Sequence, residues 1–262
     1  MLRPRLIPCL LISNGRLVKT VNFKSPKYVG DPLNAVRIFN EKCVDELIVL
    51  DIDASRVGNK PDFDLIRVLA KECRMPLCYG GGVCSVEQIE NLIHLGVEKV
   101  AVGTSAFTKP ELISQAVARV GRQSIVGVVD VIKSAQGGYE TVVKNATVGT
   151  GITPVDFAKG LCASGVGEIL LNSVAQDGTM GGYDTHLIRT IYNEVNVPVS
   201  VLGGAGSLDD FRDIFQKFGT IGACAGSFFV FKGKYKAVLI NYPGLQEKQS
   251  LWVPNLSSQG VL

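Results

Sequence analysis

Residues 77–107 read LCYGGGVCSVEQIENLIHLGVEKVAVGTSAF, and residues 199–229 read VSVLGGAGSLDDFRDIFQKFGTIGACAGSFF. Each stretch opens on a short apolar run that ends in a glycine cluster. A serine follows (Ser85, Ser207), then an amphipathic segment, a second apolar run and a second glycine (Gly103, Gly226). Short apolar runs that do not alternate with polar residues suit strands buried on both faces. A serine just before an amphipathic segment suits a helix N-cap, where its hydroxyl accepts an otherwise orphaned backbone N–H. Each stretch therefore predicts strand, helix and parallel strand. The same pattern recurs at one offset, and DELIVLDIDAS (45–55) pairs with GEILLNSVAQD (167–177) at nearly the same one, which predicts two similar half-barrels.

On either side of these stretches the alternation continues. Strands are expected at 5–12, 46–52, 77–79, 99–102, 124–129, 168–172, 199–202 and 221–225. Helices are expected at 62–73, 86–95, 110–120, 154–163, 185–194 and 208–218, with Pro110 and Pro154 suited to a first helical turn. Eight such units joined by short connections predict an α/β fold, a single (β/α)8 TIM barrel, and 262 residues is the length it needs. The barrel is expected to occupy 1–241, with 232–241 left for the eighth helix and a loosely held tail at 242–262.

Composition narrows the function classes. A net charge of +3, with basic residues expected to form no cluster, argues against nucleic acid. The seven cysteines form no CxxC pair and mostly sit in apolar runs, which fits reduced thiols rather than a disulfide framework. With His94 and His186 the only histidines, no metal site is expected, and no cofactor. Residues 1–12 lack the length and small-residue exit of a signal peptide, and no apolar run reaches a membrane span. A cytoplasmic protein without a membrane partner is expected.

Glycines at the C-terminal ends of barrel strands let backbone N–H groups approach a ligand, and a following helix start favours an anion. Gly80, Gly81 and Gly82 end the third strand, and Gly103, Thr104 and Ser105 the fourth. Their mates are Gly203, Gly204 and Gly206 after the seventh strand and Gly226 with Ser227 after the eighth, where this fold usually binds phosphate. Two cradles across one mouth predict a substrate with a phosphate at each end.

The runs RLIPCLLISNGRLVK (5–19), DELIVLDIDAS (45–55), YGGGV (79–83), GITPVDFAKGL (151–161), GVGEILLNSVAQDGTMGGYD (165–184) and LGGAGS (202–207) resemble the HisF family, the cyclase subunit of imidazole glycerol phosphate synthase. The similarity extends to about Phe231. It implies a cyclase that takes ammonia from a HisH-type glutaminase bound at the N-terminal face. In the family, a bis-phosphorylated ribulosyl-formimino aminoimidazole carboxamide nucleotide becomes imidazole glycerol phosphate and a carboxamide ribotide.

The resemblance carries over residue by residue. Asp130 matches the family's fifth-strand acid–base aspartate, and Lys19 its lysine in a mobile loop after the first strand. Asp51 and Asp177, the latter before Gly178, stand in polar or phosphate-adjacent positions. Arg5, Glu46, Lys99 and Glu168 coincide with the family's ammonia gate, and Glu98 and Gln123 lie near that face. The first-strand aspartate, however, is Leu11, which cannot transfer a proton; Cys9-Leu10-Leu11-Ile12 aligns with Val128-Val129-Asp130-Val131 across the repeat. Gly103, Asn172 and Ala175 also depart from the family's pattern. Ammonia-receiving parts beside half an acid–base pair suggest a HisF-like paralogue of the acetamidino-sugar type, serving surface polysaccharide synthesis. A competent histidine-pathway cyclase that recruits Asp51 or Asp177, a non-catalytic ammonia conduit that activates a glutaminase, and a HisA-type isomerase are the alternatives.

Overall fold

The computed structural model describes residues 3–134 and 137–252. Its core is eight parallel strands: β1 (Arg5–Ser13), β2 (Leu47–Asp51), β3 (Leu77–Gly80), β4 (Lys99–Val102), β5 (Ile125–Lys133), β6 (Glu168–Ser173), β7 (Val199–Leu202) and β8 (Gly222–Ala225). Each pairs with its successor, and β8 returns to β1 through Arg5↔Gly222 and Ile7↔Cys224, so the sheet closes. The expected (β/α)8 barrel is the observed fold.

The apolar runs explain the closure. Along β1, Leu6, Leu10 and Ile12 pack outward under the helices, while Ile7, Cys9 and Leu11 pack inward against Ile48, Cys78, Ala101 and Cys224. A strand apolar on both faces is stable only between two such layers. The outer layer is α1 (Pro32–Glu41), α2 (Phe63–Glu72), α3 (Val86–His94), α4 (Glu111–Val120), α5 (Pro154–Ala163), α6 (Thr185–Tyr192) and α7 (Leu208–Phe218). Ser85 and Ser207 cap α3 and α7 as expected, and Ser207 forms a reciprocal capping box with Asp210.

Four expectations need correction. Residues 232–241 are not a helix. Phe231–Lys232 pairs with Ala237–Val238 in a small antiparallel hairpin, after a single turn at Ser227–Val230. Gly233 and Lys236, at φ +73° and +49°, take left-handed conformations that a helix does not allow.

The tail is docked rather than loose over its described part. Tyr242 is buried and its hydroxyl donates to the Leu6 carbonyl (3.0 Å), while Lys248, on the helix Leu245–Ser250, reaches Asp45 at 2.6 Å. Residues 253–262 lie outside the described part of the chain.

The loop after β1 is also a hairpin, Arg16–Val21 with Lys24–Gly30. Asn14-Gly15, both at positive φ and the strongest short-range signal for a two-residue hairpin turn, folds Arg16–Val21 back onto β1 (Ser13↔Arg16), and Asn22-Phe23, also at positive φ, turns the chain into Lys24–Gly30. Finally, basic residues expected to form no cluster do form one: Lys232, Lys234 and Lys236 stand within five residues of the chain, and Arg16, Lys24 and Lys27 join them in space. The two hairpins touch, with Lys27 Nζ 5.9 Å from the centre of the Phe231 ring, and together they expose six cations.

Candidate active site

The C-terminal mouth holds two lobes that meet at Leu11, Asp177 and Leu202. The larger is bordered by Asp51, Ser55, Gly81, Gly103, Thr104 and Asp130, with Asn145 and Asn172. The smaller is bordered by Lys19, Gly178, Gly203, Gly204, Gly226 and Ser227. Gly82 follows Gly81 but does not itself border either lobe.

Asp130 lies on β5 opposite Asn172 on β6. The Asn172 amide donates to its carboxylate at 3.0 Å. Burial pushes the Asp130 carboxyl up to about 7, against that hydrogen bond and with help from the Asp177 charge. An acid that titrates near neutrality can both give and take a proton at working pH. The sequence marks Asn172 only as a departure from the family; its register with Asp130 is what makes it a partner. Its Oδ1 is buried without a hydrogen-bond donor, an acceptor left for something that enters the mouth.

Lys19 is not a solvated loop lysine. The hairpin lays it into the smaller lobe, 5% exposed, where Nζ donates to the Cys9 carbonyl at 2.5 Å. Burial lowers its pKa, partly offset by Cys9 and Asp177. Gly226 leaves room for the end of this side chain, since a Cβ there would meet Lys19 Nζ and displace it. Gly204, by contrast, sits at φ +115° where a Cβ would strike the Gly182 carbonyl, so backbone packing alone demands a glycine there.

Asp177 works as the clasp of that hairpin. Its carboxylate accepts from the Thr20 hydroxyl (2.7 Å) and the Phe23 amide (3.2 Å), and its carbonyl from the Asn22 amide (2.9 Å). Burial raises its pKa, while Thr20, Phe23 and Lys19 pull it back. Asp51 caps the turn that follows β2, accepting the Asp53 and Ala54 amides at 3.0 Å. No sequence signal singles out Ser55; its hydroxyl accepts the Gly82 amide at 3.3 Å and so already occupies one N–H of that cradle.

At the opposite mouth the four charges expected at strand starts form a closed ring. Arg5 pairs with Glu46 and, at 2.7 Å, with Glu168; Lys99 pairs with Glu46 at 2.9 Å and Glu168 at 2.8 Å. Burial works to raise the Glu168 pKa, but Arg5 and Lys99 overcome it and hold it low. Ser200 joins the ring, accepting from Arg5 at 3.3 Å and donating to Glu168. Gln123 borders the depression beneath the ring, whereas Glu98 is not among its lining residues.

Between ring and mouth the barrel is packed with Ile7, Ile48, Val126 and Leu170 and with the thiols of Cys9, Cys78 and Cys224. Burial pushes the Cys9 thiol up to about 12 and the other two well above the usual thiol range, so all three stay neutral. Among the described residues, no group of three or more His, Cys, Asp or Glu side chains could hold a metal ion.

Residues 5–236 match the family described as "Histidine biosynthesis protein". The chain is 50% identical over 253 residues to "Putative imidazole glycerol phosphate synthase subunit HisF" of Leptospira interrogans, covering 96% of this chain and 100% of that protein. It is 52% identical over 250 residues to "Putative imidazole glycerol phosphate synthase subunit hisF3" of Vibrio vulnificus, covering 95% and 96%. To "Imidazole glycerol phosphate synthase subunit HisF" of Alkaliphilus metalliredigens it is 39% identical over 229 residues, covering 87% and 91%.

Proposed function

The chain belongs to the histidine biosynthesis protein family, and from that premise we propose that it is the ammonia-receiving, cyclase-type subunit of a glutamine-dependent synthase. The observation that carries the reading is the closed ring of Arg5, Glu46, Lys99 and Glu168 at one end of a barrel whose other end holds Asp130 between two glycine cradles. A HisH-type glutaminase docks beneath the ring, and ammonia enters where the ring parts. The apolar interior favours neutral ammonia, because desolvating ammonium costs on the order of 10 kcal/mol. At the mouth, a substrate phosphorylated at both ends lies across the two lobes, and Asp130 moves the proton.

Ring closure of the family's kind needs protons moved on two sides of the substrate, and Leu11 occupies the second side. We therefore assign the chain to a branch that spends its ammonia on a different phosphorylated substrate, of the acetamidino-sugar kind used in surface polysaccharides. The test is turnover of the bis-phosphorylated nucleotide with saturating ammonium salt at alkaline pH, which bypasses the glutaminase. Wild type is expected to fall more than about tenfold below a competent cyclase, a barrier difference above about 1.4 kcal/mol, and Leu11→Asp to recover part of the rate. Wild-type turnover within that factor would overturn the assignment.

One observation favours a second reading, that of a competent histidine-pathway cyclase. Asp177 borders both lobes beside Leu11 and has a raised pKa, so it is equipped to replace the missing acid. That reading requires wild-type turnover that Asp177→Asn abolishes. Glutaminase activation without turnover of any phosphorylated substrate would instead indicate a conduit, and indifference to ammonia an isomerase.

A further inference from the structure

The two hairpins at the rim of the mouth carry a surface of one sign. Arg16, Lys24 and Lys27 lie on the first, Lys232, Lys234 and Lys236 on the second, and neither segment, 14–30 or 231–241, contains an acidic residue. All six side chains are exposed, and no described carboxylate forms an ion pair with any of them. The whole chain has a net charge of only +3, so this one edge carries twice that and the remainder is net acidic. Exposed apolar and aromatic side chains stand among these cations: Tyr235 is 85% exposed, Tyr28 61%, Leu239 53% and Val238 48%.

We propose that this edge is a docking surface for an anionic lipid bilayer, to which the protein attaches peripherally. The composition separates this occupant from the others. Protein interfaces are depleted in lysine and enriched in arginine, and nucleic-acid sites favour the arginine fork; here five of the six cations are lysines. A fluid anionic surface asks for neither a fork nor a fixed register. It rewards flexible point charges whose stems lie along apolar neighbours, and tyrosines whose rings settle at the headgroup level. No described helix is long and apolar enough to cross a membrane, so the attachment uses side chains alone. The attachment does not depend on which reaction the mouth performs.

The test is co-sedimentation of the full chain with vesicles carrying about one third phosphatidylglycerol in phosphatidylcholine, against pure phosphatidylcholine, at low salt and at about 1 M, where the Debye length is about 3 Å. Binding is expected to the anionic vesicles only and to vanish at high salt. The Lys232→Gln, Lys234→Gln, Lys236→Gln triple variant is expected to lose affinity about 100-fold, from ~1 kcal/mol per lysine at an anionic surface and tenfold per 1.4 kcal/mol. Lys159→Gln, remote from the hairpins, is expected to bind as wild type and to keep a wild-type circular dichroism spectrum, as the triple variant does. Equal binding to neutral vesicles, no binding, or an unaffected triple variant overturns the proposal. Tighter binding to double-stranded DNA than to the anionic vesicles also overturns it, in favour of a nucleic-acid site.

Discussion

Replacing Lys99 by methionine should separate a buried ion-pair ring from an ordinary surface one. Lys99 Nζ holds Glu46 at 2.9 and 3.0 Å and Glu168 at 2.8 Å. The two carboxylates are only 5% and 9% exposed, and Lys99 itself 19%. Methionine keeps the stem and deletes the charge, so two buried carboxylates must then share Arg5. Breaking a buried pair by removing one partner costs about 3–5 kcal/mol, and some solvent at Lys99 puts the expectation near the lower end, ~3 kcal/mol. At roughly 2–4 °C per kcal/mol for a chain of this size, the melting temperature should fall by about 6–12 °C. Lys159→Met is the control: its partner Glu194 and it are 45% and 52% exposed, and a pair so open to solvent contributes little to stability.

The assay is urea denaturation of wild type, Lys99→Met, Glu168→Gln and the double variant at several pH values. Because Glu168 is held below its ordinary range, the stability it contributes is present above the unfolded value of about 4.3 and is lost as pH falls through the folded one. The Lys99→Met deficit should therefore be complete at neutral pH and shrink in acid. The double variant should cost less than the sum of the singles by at least ~1 kcal/mol, since it removes the charge left unpaired. A deficit equal to that of Lys159→Met, or one that does not change with pH, would mean that the ring behaves as a solvated one.

Three further outcomes are expected. Asp130→Asn should stabilise the protein at pH 8. Folding favours the protonated carboxyl, at about 7 against about 4 unfolded, so wild-type stability falls as pH rises from about 4 through 7; the gap amounts to roughly 4 kcal/mol, about half of it for a group partly open to the mouth. The measurement is the denaturation midpoint of both proteins at pH 5 and pH 8, and a variant no more stable at pH 8 would count against the raised carboxyl. Gly178→Ala should loosen the first hairpin, because a Cβ at that position, where φ is +68°, would strike the Thr20 carbonyl; faster tryptic cleavage at Lys24 and Lys27 is the readout, and cleavage as slow as in wild type would show the clasp to be unimportant. In the native protein a thiol reagent should modify the exposed Cys43 and Cys84 quickly and leave buried Cys9, Cys78 and Cys224 untouched until denaturant is added; early labelling of any of those three would show the barrel interior to be open.

The repeat in residues 77–107 and 199–229 was enough for the barrel, since a doubly apolar strand followed by a capped helix has few other ways to bury both faces. The charged ring was legible for a related reason. A charge at the first inward position of a barrel strand has nowhere to point except the N-terminal mouth, so Arg5, Glu46, Lys99 and Glu168 could be assigned to one face from their positions alone. The hairpin after β1 was missed although Asn14-Gly15 announced it, because the segment was read through its likeness to a mobile loop. The docked tail carried no local signal: Tyr242 and Lys248 acquire their roles from Leu6 and Asp45, at the other end of the chain.

Periodicity, caps and glycine clusters are local properties, written into neighbouring residues, and from them the eight units, the closed sheet and the two ends of the barrel followed. The chemistry at those ends depends on distances between residues far apart in the chain. Burial and the neighbouring Asn172 and Asp177 bring Asp130 near neutrality, the Asp177 clasp folds Lys19 down onto the Cys9 carbonyl, and two remote hairpins assemble six cations at one edge. Desolvation and Coulomb energies are set by what surrounds a group in space, and those surroundings exist only once the chain has folded.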